Sequence, residues 1–198
     1  MRGFTEAERE QIRRGLLDAG RELFAQYGLK KTTIADLTDE VGVAPSTFYQ
    51  FFDSKEALYA AVLEDVGDDI VAPIFEQSFE ATDDPEEAIR RFLRLLLDEI
   101  ETNPLLKQVI VEGREAYDRG LTDEERAAER EQELASLVPF VEEWHEAGKL
   151  RGQDPTVVAS VIRAAAFVTL HRDDIGDDLY PATRDLLVDS VAAGLTDV

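Results

Sequence analysis

The 198-residue sequence predicts an all-α fold of about nine helices. Apolar residues recur at spacings of three and four, which places them on one face of a helix. Helix-start patterns also recur, in which a capping residue precedes a proline or a glutamate three positions later. No stretch alternates convincingly between apolar and polar residues as a half-buried strand does. Together these observations favour helices throughout the chain.

Capping residues mark several helix starts. Thr5 and Glu8 have capping-box spacing, in which each side chain bonds the backbone N–H of the other residue. Thr122 and Glu125 repeat this spacing. Capping residues also precede prolines at Asp84-Pro85, Asn103-Pro104 and Asp154-Pro155. Because the N–H of a first helical residue has no intrahelical partner, proline is tolerated there, and each pair predicts a helix start.

Apolar stripes at helical spacing lie between these starts. They comprise Ile12, Leu16, Ala19, Leu23 and Tyr27; Ile89, Phe92, Leu93, Leu96 and Ile100; Leu134, Leu137, Val138, Val141 and His145; Val158, Val161, Ile162, Ala165 and Val168; and Leu187 with Val191. Pro139 is expected to kink the third of these helices.

Composition excludes several classes of protein. The net charge is −22 and 44% of residues are hydrophobic, so the charge belongs to a folded body and not to a disordered tail. The absence of cysteine excludes disulfides, thiolate metal ligands and cysteine nucleophiles. The longest apolar stretch, residues 157–170, is too short to span a membrane. No apolar signal segment follows Met1, so we expect a soluble cytoplasmic protein.

The negative charge is concentrated in the later three quarters of the chain. Residues 1–56 hold 8 basic and 10 acidic residues, whereas residues 57–198 hold 13 basic and 33 acidic ones. Aspartate supplies 20 of the 43 acidic residues, and lysine supplies only 5 of the 21 basic ones. This composition favours a halophilic surface adapted to high salt. An ordinary acidic cytoplasmic protein is the alternative.

Two very short helices are predicted in the first quarter of the chain. The apolar face of the first one holds Ile34, Leu37 and Val41. Gly42 can adopt the positive φ that ends a helix, and Pro45 then begins the second helix. The buried side of that helix would hold Phe48 and either Phe51 or Phe52. Two short helices joined by a glycine-containing turn form a helix-turn-helix, whose second helix enters the DNA major groove.

A longer ungapped pattern includes this segment. It comprises Gly28, Thr32, Thr33, Leu37, Gly42, Val43, Thr47, Tyr49, Phe52, Lys55 and Leu58. The pattern resembles the N-terminal signature of the TetR/AcrR family of one-component transcriptional regulators, over about residues 8–60. The resemblance implies a three-helix DNA-binding domain at residues 1–56 and an effector-binding and dimerisation domain at residues 57–198. It further implies a homodimer that binds a palindromic DNA operator, most often as a repressor, and is released by a small effector.

The same resemblance implies which side chains contact DNA. The expected phosphate contacts are Thr33, Thr47, Tyr49 and Lys55, and the positions that often face bases hold Pro45, Ser46 and Gln50. Hydroxyl groups and lysine suit phosphate oxygens, and an amide can bond adenine through two hydrogen bonds.

Three positions depart from the family pattern. Ala44 replaces the usual serine-type cap of the recognition helix, which removes about 1 kcal/mol of capping free energy. Thr38 replaces a usual alanine, and Phe51 replaces a histidine or tyrosine. Basic residues through which a polyanion could approach this domain are Arg9, Arg13, Arg14, Lys30, Lys31 and Lys55.

In the C-terminal domain, aromatic residues and histidines at helical positions are candidates for lining an effector cavity. They are Phe92, Tyr117, Phe140, Trp144, His145, Phe167 and His171. Each could instead be an ordinary core or surface residue. Their aromatic character predicts a mainly apolar effector. Arg114 and Arg163 could neutralise an acidic ligand or form salt bridges with nearby carboxylates.

The resemblance also predicts dimer contacts and leaves one alternative function. The last two long helices, at about residues 155–172 and 180–195, would pair with those of a second copy, and Ala164–Ala166 would permit close helix approach.

The acidic run Asp173–Asp178 lacks EF-hand spacing and is expected to be a solvated loop, so neither a metal nor a cofactor is expected. No catalytic constellation indicates an enzyme. The alternative is a helical protein-interaction module that kept this fold without binding an operator.

Overall fold

The computed structural model describes residues 4–108, 131, 134–151 and 154–196. All regular secondary structure in these ranges is helical, which confirms the all-α prediction. The α-helices are α1 (Glu6–Lys31), α2 (Ile34–Val41), α3 (Pro45–Phe48), α4 (Lys55–Val66), α5 (Ala72–Gln77), α6 (Pro85–Thr102), α7 (Val138–Glu146), α8 (Pro155–Ala166), α9 (Arg172–Ile175) and α10 (Tyr180–Thr196). A π-helical turn covers Gly67–Val71, a 3₁₀-helix covers Phe167–His171, and residues 104–108 are also helical.

Most of the predicted helix starts are confirmed. The Thr5 hydroxyl accepts from the Glu8 N–H at 3.3 Å, and the Glu8 carboxylate accepts from the Thr5 N–H at 2.7 Å. These bonds to Thr5 hold the pKa of Glu8 below its ordinary value. Side-chain oxygens cap the first turns that follow Asp84, Asn103 and Asp154. The predicted box at Thr122 and Glu125 lies outside the described residues.

The chain forms two compact units. The first comprises the described residues of Met1–Ile70 and Asn103–Glu112, and the second those of Val71–Thr102 and Gly113–Val198. The functional division into residues 1–56 and 57–198 stays a prediction.

In the first unit, α1 packs against both α2 and α4, and α3 packs against α2. A Cβ on Gly20 would lie 3.1 Å from a Val62 methyl, so the absence of a side chain at Gly20 permits the close approach of α1 and α4. Fully buried side chains of this core are Leu16, Phe24, Leu37, Phe48 and Leu58.

In the second unit, α6 packs against α5, α8 and α10, and α7 packs against α8. Salt bridges join α6 to α10, with Arg90 and Arg94 both bonded to Asp189 at 3.0 and 3.1 Å. The buried side chains of α6 include Ile89, Phe92, Leu93 and Ile100, as its apolar stripe predicts. No helix in the described part of the chain is long and apolar enough to cross a bilayer.

Three details of the helix prediction are wrong. Pro139 does not kink a helix, because α7 begins at Val138 and its first turn tolerates proline. Tyr27 is 49% exposed, because the buried face of α1 runs at spacings of four through Leu16, Gly20 and Phe24, and the helix is kinked at Gly28, whose φ is 75°. On α10 the buried residues are Tyr180, Val188 and Ala192, and the last two lie one position after the predicted Leu187 and Val191.

The predicted helix at residues 155–172 ends earlier than expected. The α-helix ends at Ala166 and continues as the 3₁₀-helix Phe167–His171. Val168 and Thr169 are β-branched, which disfavours α-helix, and the Thr169 hydroxyl bonds the Ala166 carbonyl at 3.1 Å.

Candidate nucleic-acid interface

Helix α2 is closed at both ends by its own residues. The Thr33 hydroxyl accepts from the Asp36 N–H at 3.2 Å, and the Asp36 carboxylate accepts from the Thr33 N–H at 2.9 Å. At the other end, Gly42 has a φ of 73°, and the next N–H, of Val43, bonds the Thr38 carbonyl at 3.0 Å. Because a positive φ favours glycine, Gly42 gives the chain its turn between α2 and α3.

Helix α3 is much shorter and has no side-chain cap at its start. Ala44 is the N-cap residue and offers no side-chain bond, while Pro45 occupies the first turn. After Phe48 the chain continues in turns, with the Gln50 N–H bonded to the Thr47 carbonyl at 3.0 Å. The recognition helix is therefore a single turn extended by a few tightly folded residues.

Two aromatic side chains bury one side of this segment. Phe48 is fully buried and Phe52 is 8% exposed, and their ring centroids lie 5.9 Å apart. Both rings belong to the core that holds Leu16, Leu37 and Leu58. Phe51 is only partly buried, so the open choice between Phe51 and Phe52 is resolved in favour of Phe52.

The polar side chains of α3 face outward. Ala44, Pro45, Ser46 and Gln50 are exposed, and Tyr49 is 60% exposed. The Tyr49 ring meets the Phe48 ring edge-on at 5.6 Å, so the ring is supported from below while its hydroxyl remains accessible. This face could present a hydroxyl, a phenol and an amide to a groove of DNA.

The other predicted phosphate contacts are either hydrogen-bonded within the protein, as Thr33 and Lys55 are, or largely buried, as Thr47 is. The Thr33 hydroxyl donates to Asp36 at 2.6 Å, and its bonds to that carboxylate hold the pKa of Asp36 below its ordinary value. Thr47 is only 9% exposed. The Lys55 ammonium donates to the Thr32 carbonyl at 2.7 Å, which joins the start of α4 to the end of α1. Since an ammonium group has three N–H donors, this bond leaves two for a phosphate.

Arginines of α1 lie against the end of this segment. The Arg9 guanidinium donates to the Gln50 carbonyl at 3.2 Å and lies 4.9 Å from the centre of the Phe51 ring. The Arg13 guanidinium lies 5.7 Å from the centre of the Phe52 ring. No local sequence pattern predicts these contacts of the two arginines, because their partners lie about forty residues away.

Comparisons with known proteins agree with this geometry. Residues 16–62 match the family described as bacterial regulatory proteins, tetR family. The transcriptional regulator RutR of Escherichia coli O157:H7 is 28% identical over 183 residues, covering 90% of this chain and 82% of RutR. The repressor KstR2 of Rhodococcus jostii is 40% identical over 55 residues, 28% of this chain and 27% of KstR2. A TetR family regulator structure from Marinobacter aquaeolei VT8 has a TM-score of 0.69 at 18% identity, covering 97% of this chain and 99% of that one.

Residues 16–62 therefore match the TetR family, and the chain as a whole is similar to TetR-family regulators. It is a DNA-binding transcriptional regulator and not an enzyme, because its relatives are regulators of transcription. The helix-turn-helix of the family is formed by α2 and α3.

Three of the effector candidates of this chain meet in one aromatic cluster. Phe140 stacks on Phe75 and Phe79 at centroid distances of 5.7 and 5.0 Å. Trp144 stacks on Phe79 at 5.3 Å, and Phe92 lies 4.9 Å from the same ring. The sequence stripes include Phe92 but not Phe75 or Phe79, which precede α6. These five rings define the aromatic cluster of the second unit.

The remaining effector candidates are not part of the aromatic cluster. Phe167 lies under the Arg163 guanidinium, 5.0 Å from it. His171 is exposed, with its Nδ1 atom 3.2 Å from an Asp174 carboxylate oxygen. His145 is partly buried on α7. Tyr117 and Arg114 lie outside the described residues.

A half-open polar cavity of about 410 Å³ lies between α6, α9 and the start of α10. The Tyr180 hydroxyl donates to the Glu101 carboxylate at 2.9 Å, and Arg184 bonds the same carboxylate at 3.1 Å. Burial, and then the bond to Glu101, raises the pKa of Tyr180 to about 12. Three arginines and three carboxylates line the cavity, which makes its wall nearly neutral.

The acidic run at Asp173–Asp178 is partly helical, because α9 covers residues 172–175. The Asp177 carboxylate accepts from Arg172 at 2.9 Å. Within the described ranges, no group of three His, Asp or Glu side chains is arranged to hold a metal ion.

Proposed function

We propose that this regulator is a ligand-responsive repressor that binds a palindromic operator as a homodimer in the cytoplasm. The observation that carries the proposal is the outward face of α3, where Ser46, Tyr49 and Gln50 are exposed above the buried Phe48 and Phe52. Phosphate contacts fix orientation and base contacts give specificity. We assign Tyr49, Thr33, Thr47 and Lys55 to phosphates, and Pro45, Ser46 and Gln50 to bases, with Ala44 at the helix start.

Exposed apolar side chains support the homodimer. Val157 and Val161 on α8 are 49% and 38% exposed, and Leu186 on α10 is 69% exposed. Leu179, just before α10, is 60% exposed and lies seven residues from Leu186, which is the spacing of one helix face. Since α8 and α10 pack on each other, these residues give a pair of neighbouring helices an outward apolar surface. A two-fold symmetric interface would bury it.

The aromatic cluster supports a mainly apolar effector. Its rings pack at centroid distances of 4.9–5.7 Å, which is ordinary aromatic contact, so an effector would enter by displacing some of them. Binding would favour one separation of the two recognition helices, and release would follow when that separation no longer matches one helical turn of DNA, about 34–36 Å.

Selection from random-sequence DNA by the full-length protein tests the DNA-binding half of the proposal. The expected product is an inverted repeat whose half-sites are centred one helical turn apart, about 10 base pairs. The selected duplex then serves to screen small molecules for release. Recovery of no preferred sequence would overturn operator binding and favour the protein-interaction alternative.

Sedimentation of matched variants tests the homodimer. Leu186→Glu should convert the dimer to monomer, because it places a charge in the apolar interface. Thr102→Glu adds the same charge at an exposed position of α6 and should sediment like the parent. A parent protein that sediments as a monomer would contradict this part of the proposal.

A further inference from the structure

The recognition helix has little of its own to hold it in place. It is one turn long, and its N-cap, Ala44, has no side-chain bond to the helix. By contrast α2, of eight residues, is closed by the Thr33–Asp36 box and by Gly42. The position of α3 therefore depends on contacts with other elements.

Beneath α3 these contacts are apolar. Phe48 and Phe52 sit in the core and fix the depth of the segment. Apolar contacts are not directional, so they define the rotation of a single-turn helix less strictly than a hydrogen bond does.

One side chain supplies the directional contact. Among the described residues, Arg9 is the only one from another element whose side chain hydrogen-bonds residues 45–52, and its acceptor is the Gln50 carbonyl. That carbonyl lies just past the C-terminal end of α3, where a cation is favoured by the helix dipole. The same guanidinium lies over the Phe51 ring. Phe51 stands where the family pattern has a histidine or tyrosine, and its ring gives the arginine an apolar surface to lie on.

We infer that Arg9 is a positioning residue that sets the orientation of the recognition helix by holding the Gln50 carbonyl and the Phe51 ring. The inference rests on the proposed use of α3 to recognise an operator. It also explains how a helix without a side-chain cap can present Gln50 to one base pair. Arg13, one turn further along α1, lies over the next ring and supports the same segment.

A positioning role differs measurably from a phosphate contact by Arg9. Loss of a phosphate contact weakens binding to all sequences and lowers the salt slope by about 0.9. Loss of positioning weakens binding to the operator more than binding to mixed-sequence DNA, and it changes the salt slope no more than removal of the Arg14 charge does. Arg14→Ala is the matched control, because Arg14 lies on the same helix and its guanidinium pairs with Glu10 and not with α3.

The DNA experiment compares Arg9→Ala with Arg14→Ala, on the duplex selected by the parent protein and on a mixed-sequence duplex of equal length. For Arg9→Ala the affinity ratio between the two duplexes should fall about tenfold relative to Arg14→Ala, as expected for loss of one charge-assisted hydrogen bond. In a double-mutant cycle with Phe51→Leu, the two losses should not add. Equal losses on both duplexes, with a reduced salt slope, would overturn the inference.

A DNA-free experiment keeps the inference separate from the proposed function. Amide hydrogen exchange at Gln50, Phe51 and Phe52 should be faster in Arg9→Ala than in Arg14→Ala, while the Leu37 amide of α2 exchanges alike in both. These amides bond the carbonyls of Thr47 and Phe48, which the Arg9 contact helps to hold. Equal exchange in the two variants would overturn the inference even if the protein binds an operator. Faster exchange in a protein that selects no operator would instead overturn only the proposed function.

Discussion

The two arginines that lie beside α3 differ in their partners from most arginines of the described chain, because Arg14 and Arg21 of the first unit pair with carboxylates, as most arginines of the second unit do. In the first unit, Arg9 and Arg13 lie over aromatic rings, and Arg9 bonds a neutral carbonyl. Within the described chain neither of them forms an ion pair. In the second unit, arginines are bonded to carboxylates: Arg90 and Arg94 to Asp189, Arg172 to Asp177, and Arg184 to Asp98 and Glu101.

This difference in partners determines which arginines keep a positive charge that DNA can contact. A neutral partner leaves the charge of a guanidinium intact, whereas a carboxylate neutralises it. The second unit, Val71–Thr102 and Gly113–Val198, also carries 28 acidic residues against 12 basic ones. The second unit therefore repels a polyanion, and approach to DNA has to occur through the first unit.

The largest expected effect is the loss of stability when the buried phenylalanine beneath α3 is removed. Phe48→Ala should lower the free energy of unfolding by about 3–5 kcal/mol, because it empties a fully buried site. Tyr49→Ala, at the neighbouring exposed position, should change it by less than about 0.5 kcal/mol. Chemical denaturation measures both. Similar losses in the two variants would show that the division between the buried and exposed faces of α3 is incorrect.

A smaller effect is expected from the neutralised arginines of the second unit. Arg184→Ala removes the nearer cation of the partly buried Glu101, leaving Arg172 at 3.9 Å, and should cost about 1.5–3 kcal/mol of stability. Binding to mixed-sequence DNA should stay unchanged, because this arginine is already neutralised. Arg91→Ala is the control, since its bond to Glu87 is exposed and worth about 0–1 kcal/mol. A loss of DNA binding in Arg184→Ala at full stability would break the comparison between the units.

Salt dependence of DNA binding sharpens the comparison. Screening weakens both the attraction of DNA to the first unit and its repulsion by the second, so the salt slope should be unusually shallow. Replacing Asp173, Asp174 and Asp178 together by Asn should steepen the salt slope, because it removes part of the repulsion. The parent protein itself should melt at a lower temperature in dilute buffer than at about 2 M KCl. A steep slope in the parent together with full stability in dilute buffer would remove the case for adaptation to high salt.

The smallest expected effect is the pH dependence carried by Tyr180. Its pKa is raised to about 12, above the ordinary value of 10.0. A raised pKa contributes stability that is complete below the unfolded-state pKa and is lost as the pH rises from about 10 to about 12. Between pH 9 and pH 11, the melting temperature should therefore fall further in the parent than in Tyr180→Phe. Equal falls in both proteins would contradict the buried bond to Glu101.

The helix-turn-helix was predictable because its signals are local. Gly42, Pro45 and Phe48 lie within seven residues, and each fixes a feature of the backbone or of the core. The Thr33–Asp36 capping box was missed, although its spacing is visible in the sequence. The bonds of Lys55 to Thr32 and of Arg9 to Gln50 join residues 23 and 41 positions apart, so no local sequence pattern predicts them.

The second unit was less predictable for the same reason. The stripe on α6 identified its buried face, but Phe75 and Phe79 join the aromatic cluster from outside any stripe. Helix α8 ends early because of β-branched residues and a threonine hydroxyl. The spacing of apolar residues, on which the helix prediction was based, does not detect either feature. Packing between distant segments, and not local propensity, sets these features.

The measurement that tests the central claim most directly is the affinity of Tyr49→Phe and Gln50→Ala for the selected operator and for its single-base variants. Tyr49→Phe keeps the ring and loses only the hydroxyl, so it should weaken binding to all of these duplexes alike. Gln50→Ala should lose about 1–3 kcal/mol of discrimination at one base pair. If both variants bind every duplex as the parent does, the outward face of α3 does not enter the DNA groove.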